Sequence, residues 1–262
     1  MTRFTHWRWR LTSSLFVLLV FSAFAQQFSN SSAATGETRI PGTEIFHYGA
    51  EWRLIRAGEA KLTYVPGQSG AQANLELEST GLVSKLYKVD DDYKVALNRE
   101  LCAKEIFLRA HEGRRRRETT VTFNDTEKKA SYLERDTIKN TVVKQNEIDI
   151  PGCVHDVIGG LLHLRTMKIE VGQSATLNMS DGKKSVVARV EAQEREEVKT
   201  SLGKYKTIRY EVFIFNNVLY GRKGRLFVWI TDDERRLPVQ IRARMQFHVG
   251  TLTFQLEKEE RL

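Results

Sequence analysis

Residues 205–215 read YKTIRYEVFIF, and apolar side chains fall at every second position of this stretch. Four of them share one face of an extended chain: Ile208, Tyr210, Val212 and Ile214. Arg209 and Glu211 lie on the opposite face. Because side chains alternate between the two faces of a β-strand, this pattern predicts a strand with one buried and one solvated face.

The same alternation recurs along the chain, in ANLELEST (73–80), TTVTFN (119–124) and LPVQIRARMQFHV (237–249). Turn-forming residues separate these runs: Pro66-Gly67, Asn124-Asp125, Asp181-Gly182, Leu202-Gly203 and Gly221 to Gly224. Many short strands without an alternating helix indicate an antiparallel meander. We therefore expect a mainly β protein, a single domain of curved, partly closed antiparallel sheet.

One segment breaks the alternation. HDVIGGLLHLRTM (155–167) places its apolar residues on a broad helical stripe. Asp156 lies where an acid favours the helix dipole. Gly159 and Gly160 lower helix propensity but would let the helix lie close against a sheet. We expect one central amphipathic helix that lies across or plugs the curved sheet.

The densest polar constellation is WITDDERRLPVQI (229–241), between two apolar runs. Three acids fall at or beside the predicted chain reversal: Asp232, Asp233 and Glu234. Aspartate favours turns, Arg235 and Arg236 are placed to pair with the acids, and Pro238 suits the start of a strand. The stretch is predicted to be a hairpin tip; the alternative is a Ca²⁺ site.

The chain has two cysteines, Cys102 and Cys153. In an oxidising compartment such a pair favours a disulfide, which would close about 50 residues and stabilise the fold by roughly 4 kcal/mol. Two buried free thiols are the alternative, because spacing does not fix the geometry. Cys153 and His155 also have the residue types of a cysteine–histidine nucleophile pair.

The N-terminus has the three parts of a secretory signal peptide. Residues 1–10 carry Arg3, Arg8 and Arg10, residues 11–25 are largely apolar, and Ala23 and Ala25 give an A-x-A cleavage pattern. A signal anchor is the alternative. We predict a signal peptide over residues 1–25, a flexible leader over 26–42, and a chain exported to the periplasm or cell envelope. The mature chain is expected to be soluble, without a transmembrane helix.

The formal net charge is +8, and subtracting the three signal-peptide arginines leaves +5, too weak to indicate nucleic-acid binding. Four consecutive arginines stand beside a predicted turn: Arg114, Arg115, Arg116 and Arg117. One interpretation is a charged strand edge that resists aggregation. The other is a guanidinium cluster for the phosphate groups of a lipid or lipopolysaccharide.

No recognised catalytic or cofactor motif occurs. The histidines lack zinc-site spacing, and there is no G-x-S-x-G, P-loop or dinucleotide fingerprint. The sequence therefore predicts a noncatalytic protein without a metal or cofactor.

Four stretches resemble the DUF3108 family of exported bacterial proteins, whose function is unknown. The resemblance runs from about Glu44 to Lys258, and a DUF3108-like β domain is expected over residues 43–262. Its matching residues include Tyr48, Trp52, Gly58, Asp156, Leu164, Arg165, Gly203, Tyr205, Thr207, Trp229, Thr231, Asp232, Asp233, Pro238 and Val239. The chain departs from the family at Gly159-Gly160 and Leu161-Leu162, where an aromatic and a serine are common.

The C-terminal hairpin resembles, more faintly, periplasmic β-folds of the LolA, LolB and RseB type, which hold acyl chains. Fold does not fix function. The leading hypothesis is a noncatalytic envelope protein that binds a lipid or other hydrophobic ligand in a curved cleft. The alternative is a structural or scaffolding envelope protein that acts through protein contacts; an enzyme is the least supported.

Overall fold

In the computed structural model, residues 40–246 and 250–262 are described. The predicted signal peptide and the leader up to residue 39 lie outside them. The strands are β1 (Glu44–Trp52), β2 (Ile55–Pro66), β3 (Gly70–Ser79), β4 (Val89–Asn98), β5 (Ala103–Glu112), β6 (Arg115–Asn124), β7 (Lys129–Asp136), β8 (Thr141–Asp149), β9 (Ser174–Ser180), β10 (Ser185–Thr200), β11 (Gly203–Phe213), β12 (Gly224–Thr231), β13 (Pro238–Met245) and β14 (Thr251–Arg261). The helices are α1 (Gly81–Leu86) and α2 (Val157–Thr166).

All these strands belong to one antiparallel sheet, in the order β8-β7-β6-β5-β4-β3-β2-β1-β14-β13-β12-β11-β10-β9. The first and last strands lie side by side in its middle, and β8 and β9 are its edges. Because β8 and β9 are consecutive in the chain, the connection that carries α2 links the two edges. The predicted curved meander with a central helix is confirmed, and the sheet stays open.

The strand that begins in the Arg114–Arg117 segment, β6, is not an edge strand, so the strand-edge interpretation is wrong. β6 pairs with β5 on one side and with β7 on the other. The alternation of a strand's side chains reports which face is buried, but it carries no information on how many neighbours the strand has.

α2 begins where the sequence predicted a helix, and Asp156 is its N-cap. The carboxylate accepts hydrogen bonds from the backbone N–H groups of Ile158 (3.0 Å) and Gly159 (2.9 Å) and from the hydroxyl of Tyr93 (2.8 Å). These bonds satisfy donors that a helix start otherwise leaves free. Burial raises the pKa of Asp156.

The glycine pair lets α2 lie close to the sheet, as expected. A Cβ on Gly159 would lie 2.8 Å from the carbonyl oxygen of Leu101 and 2.7 Å from Asp156 Oδ1. A Cβ on Gly160 would lie 3.1 Å from Cε of Met179. Glycine lowers the stability of an isolated helix, but at positions 159 and 160 a larger residue would displace the helix from the sheet.

α1 was not predicted. It has six residues, none of them buried, and its N-cap Thr80 makes no side-chain capping bond. A helix this short and exposed has no apolar stripe, so hydrophobic periodicity does not reveal it. Among the described residues, neither helix is long and apolar enough to cross a membrane.

The helix α2 joins two hydrophobic clusters. Ile158 and Leu162 pack in a cluster formed mainly by β1 to β7, whereas Leu164 packs in a cluster formed by β9 to β13. Leu162 and Leu164 are fully buried, and burying one leucine side chain contributes about 1.5–3 kcal/mol. The face of the sheet that carries α2 is therefore closely filled by side chains.

A buried ion pair fixes the C-terminal turn of α2 to the first strand. Arg165 Nη1 lies 2.6 Å from Glu44 Oε2, and the two side chains are 2% and 0% exposed. Arg261 Nη2 donates to Glu44 Oε1 (2.8 Å), and the Arg165 guanidinium lies over the Phe46 ring. Burial would raise the pKa of Glu44, but the bonds and charges of Arg165 and Arg261 outweigh it and lower that pKa.

We expect Glu44→Gln to lower the free energy of unfolding by about 3–5 kcal/mol, because it leaves the buried Arg165 charge uncompensated. Urea unfolding at pH 7 measures this. Glu76→Gln, which breaks the exposed pair with Lys61, is the control and should cost less than about 1 kcal/mol. If both variants lost the same free energy of unfolding, the stabilising role of the Glu44–Arg165 ion pair would be contradicted.

The same variant has a pH signature. The pKa of Glu44 is lower in the folded chain than its ordinary value of 4.5. The contribution of the ionised Glu44 side chain to the free energy of unfolding is therefore fully present above pH 4.5. It is lost as pH falls through the folded pKa. The difference between wild type and Glu44→Gln should therefore shrink below pH 4.5.

Candidate functional site

The WITDDERRLPVQI stretch is a hairpin turn, as predicted. β12 ends at Thr231 and β13 begins at Pro238. Asp233 Oδ1 accepts hydrogen bonds from the Thr231 hydroxyl (2.6 Å) and from the backbone N–H groups of Arg235 and Arg236 (both 3.1 Å). The acid therefore organises the turn, in the manner typical of aspartate.

The arginines of this turn do not pair with its acids, which corrects the sequence expectation. Arg235 pairs with Glu259, and Arg236 Nε donates to the backbone oxygen of Arg165 (2.7 Å). Asp232 instead accepts from Arg195 Nε (2.7 Å). These partners result from tertiary packing. The turn lies against the C-terminal end of α2, where the last carbonyl groups of the helix need hydrogen-bond donors.

The predicted disulfide between Cys102 and Cys153 is confirmed, with their Cα atoms 5.3 Å apart. Cys102 is buried, whereas Cys153 is exposed. His155 Nδ1 lies 2.8 Å from the carbonyl oxygen of Leu101 and therefore carries the proton of that bond. Because both sulfurs are bonded to each other, the oxidised chain has no thiolate for a cysteine–histidine nucleophile pair.

The buried ring of His155 stacks on that of His163, with centroids 4.4 Å apart. Burial lowers the pKa of His155, and burial together with the His155 charge lowers the pKa of His163 to about 4. Two stacked imidazoles in a poorly solvated setting favour the neutral form.

Acidification from pH 6.5 to pH 5 should therefore destabilise the fold by about 1–2 kcal/mol through this pair. The unfolded chain binds the proton in that window, whereas folded His163 does so only near pH 4. Urea unfolding at both pH values should show a smaller loss for His163→Gln than for wild type. His111→Gln is the control, and an unchanged pH dependence in His163→Gln would contradict the effect.

The four arginines at the start of β6 differ in availability. Arg117 Nη1 lies 2.7 Å from Asp136 Oδ2, and Arg116 Nη1 donates to the carbonyl oxygens of Gly113 and Arg115. Arg114 and Arg115 are exposed. Two of the four guanidinium groups are therefore already bonded within the chain, and phosphate binding by the four arginines stays a prediction.

Three further residues that match the family, Trp52, Gly58 and Gly203, support the conformation of the sheet. Trp52 ends β1 and is covered by the Arg53 guanidinium, 5.2 Å from the ring centroid. A Cβ on Gly58 would overlap the Glu78 carbonyl of the neighbouring strand. Gly203 has a φ of +134°, which only glycine adopts readily, at the β10–β11 turn.

The second strand group, β10 to β14, carries an unpredicted cluster on the face of the sheet opposite the second hydrophobic cluster. Its two aromatic residues, Phe227 and Trp229, are buried and belong to the first hydrophobic cluster. Cross-strand register pairs Arg225 with Arg244, Phe227 with Arg242, and Arg209 with Trp229. Paired residues share a face of the sheet. We call these six residues the arginine face: Arg209, Arg225, Phe227, Trp229, Arg242 and Arg244.

Guanidinium groups cover the aromatic rings of the arginine face. The Phe227 centroid lies 4.7 Å from Cζ of Arg225, 5.6 Å from that of Arg209 and 5.8 Å from that of Arg244. Arg242 Cζ lies 5.0 Å from the Trp229 centroid. These distances are in the range of cation–π attraction, and they place positive charge over buried aromatic rings.

Acidic partners are unevenly distributed on this face. Glu211 holds Arg225 with two bonds, Nε to Oε1 (2.7 Å) and Nη2 to Oε2 (2.6 Å). Arg242 and Arg244 form no ion pair with any acid in the described ranges, and Arg242 donates to the Thr253 hydroxyl (3.3 Å). Burial and the Arg244 charge lower the pKa of Arg242. Arg209 pairs with Glu194 (2.6 Å) and Glu196 (3.3 Å), so Arg242 and Arg244 are the arginines of this face without an ion pair to a described acid.

A concavity of about 430 Å³ adjoins Arg225, at the end of β11 and the start of β12. Its lining includes Glu211, Phe213 and Phe215. A second concavity of about 310 Å³ lies over β2 to β5 and includes Val65 and Phe107. Both open to solvent, and neither is an apolar cleft on the filled face of the sheet.

The sequence contained part of this signal. LPVQIRARMQFHV already places Arg242 and Arg244 on the solvated side of a strand. It does not say that Phe227 and Trp229 lie beside them, because that depends on strand register. Phe247 and Val249 of the same predicted alternation lie outside the described residues.

A sequence model of the family described as "Protein of unknown function (DUF3108)" matches residues 47–257. No curated protein matches the chain. Among solved structures, the chain is similar to a β-barrel-like protein of the domain of unknown function DUF1849 from Brucella abortus. The TM-score is 0.54 at 12% identity, covering 84% of this chain and 98% of that one. This likeness concerns the fold alone.

Proposed function

The chain belongs to the DUF3108 family of proteins of unknown function, and we propose that it is a noncatalytic binding protein of the cell envelope. Its arginine face holds a phosphate group carried by an envelope lipid. The observation that carries the proposal is the pair Arg242 and Arg244, which form no ion pair within 4 Å of a described acid and stand beside Arg225.

Electrostatics supports this role. Arg225 and Arg244 are directly opposite each other on neighbouring strands, and like charges in that position destabilise a sheet. Glu211 compensates only Arg225. A phosphate has several acceptor oxygens, and guanidinium groups bind it through paired N–H donors. One phosphate between Arg242 and Arg244 would neutralise the remaining repulsion.

The location proposed for this role is extracytoplasmic, with export by the predicted signal peptide. The Cys102–Cys153 disulfide fits an oxidising compartment. The hydrophobic ligand expected from sequence in a curved cleft remains a prediction. Close packing around Leu162 and Leu164 favours a headgroup contact at the arginine face over burial of acyl chains.

The test is flotation with vesicles of phosphatidylcholine containing phosphatidylglycerol, with pure phosphatidylcholine vesicles as the neutral reference. The double variant Arg242→Gln/Arg244→Gln should lower the affinity for anionic vesicles at least tenfold, since each arginine near an anionic surface contributes about 1 kcal/mol. Soluble glycerol phosphate should compete if the phosphate itself is recognised.

The matched control is Arg114→Gln/Arg115→Gln, which removes the same number of charges from the exposed start of β6. It should change the affinity less than threefold. Equal losses in the two variants would mean that only net charge matters and would contradict a site. A loss confined to the control would move the contact to the cluster that the sequence suggested.

A second candidate role rests on β8. Within the described ranges this strand pairs only with β7, so its other edge has free backbone groups. Val142 and Val143 on this strand are 49% and 46% exposed. An extended segment of an envelope protein would add to such an edge as a further strand, which is the scaffolding role.

A photoreactive residue at position 142 tests this second role in intact envelopes. It should give one adduct of reproducible mass, whereas the same residue at position 202 should give none, because Leu202 is similarly exposed (46%) but lies in the β10–β11 turn. Absence of an adduct at position 142, or the same adduct at both positions, would contradict strand addition at β8.

A further inference from the structure

Three potential metal ligands converge at the start of the connection between β8 and β9. The sulfurs of Cys102 and Cys153 and a ring nitrogen of His155 lie within 4.8 Å of one another. His155 Nε2 is 4.0 Å from Cys153 Sγ. In the oxidised chain the two sulfurs are joined, so they do not act as thiolate ligands.

The histidine is oriented as a ligand. Its Nδ1–H donates to the Leu101 carbonyl (2.8 Å), so Nε2 keeps its lone pair and faces the disulfide. Histidines that bind metals in proteins usually donate the other ring N–H to a carbonyl or carboxylate, which fixes the tautomer and the ring. His163 stacks on the ring and further restricts it.

We propose that reduction of the Cys102–Cys153 disulfide converts this cluster into a zinc site formed by the two thiolates and His155 Nε2. A dithiol reductant attacks the exposed Cys153 sulfur, the S–S bond breaks, and Cys102 leaves as a thiolate. Closure of the dithiol to its own disulfide releases Cys153. Two electrons and two protons pass to the protein, and Zn²⁺ binding then releases both thiol protons to water.

The geometry and ligand types suit zinc. Zinc binds cysteine sulfur at about 2.3 Å and histidine nitrogen at about 2.0–2.1 Å, so tetrahedral ligation puts sulfur and nitrogen about 3.5 Å apart. The 4.0 Å separation of Cys153 Sγ and His155 Nε2 needs only a small adjustment. Three protein ligands leave a fourth position for water.

Replacing the disulfide by a bound zinc ion would keep the same two segments of the chain connected. The disulfide joins the β4–β5 connection, which contains Cys102, to the segment that leads into α2. A metal held by the same sulfurs keeps these segments together when the covalent bond is lost. The site is therefore inferred to maintain the position of the α2 N-terminus under reducing conditions, independently of the arginine face.

The test is zinc binding by the chain from Gln26 to Leu262, before and after reduction with a phosphine that does not bind zinc strongly. Competition with a chromogenic chelator gives affinity and stoichiometry, and circular dichroism reports the β structure. We expect one zinc per reduced chain and none for the oxidised chain. Cobalt(II) in place of zinc should give sulfur-to-metal charge-transfer absorption.

His155→Gln keeps a donor for the Leu101 carbonyl but removes the ligand, and it should weaken binding at least tenfold. His111→Gln is the matched control and should bind as wild type does. Unchanged affinity in His155→Gln, no binding by the reduced chain, or loss of β structure on reduction before metal is added would each overturn the proposal.

Discussion

The buried ion pair between Glu44 and Arg165 is the constraint on which the arrangement of the sheet depends. It joins the strand in the middle of the sheet to the helix in the connection between its two edges. Removing two charges from water is costly unless they are paired and fully hydrogen-bonded. Arg261 and the turn carbonyls of Arg235 and Arg236 supply the remaining partners, so the pair fixes helix, turn and both terminal strands together.

This constraint also bears on function. With α2 held against the sheet, Ile158, Leu162 and Leu164 pack into the two hydrophobic clusters. Opposite the second hydrophobic cluster, β10 to β14 bring arginines over the buried rings of Phe227 and Trp229. A binding role on that face needs no cavity, because guanidinium groups recognise anions at a surface when their positions are fixed by strand register.

Much of the fold follows from local patterns, whereas the candidate site does not. Alternation at Ile208 to Ile214, the turn at Asp233 and the helix after Asp156 are short-range features, and the structure confirms them. The neighbours of β6, the burial of Glu44 and the meeting of Arg225 with Arg244 depend on which strands pair and in what register. Residues far apart in sequence decide these, so a single strand's pattern does not reveal them.

The most direct measurement of the central claim uses the fluorescence of Trp229 beneath Arg242. In a chain beginning at Gln26, Trp52 and Trp229 are the two tryptophans, so Trp52→Phe isolates the signal. Titration with glycerol phosphate at constant ionic strength should change the emission saturably, and chloride should not reproduce the change. Identical responses to both anions, or no response to glycerol phosphate, would contradict an anion site on the arginine face.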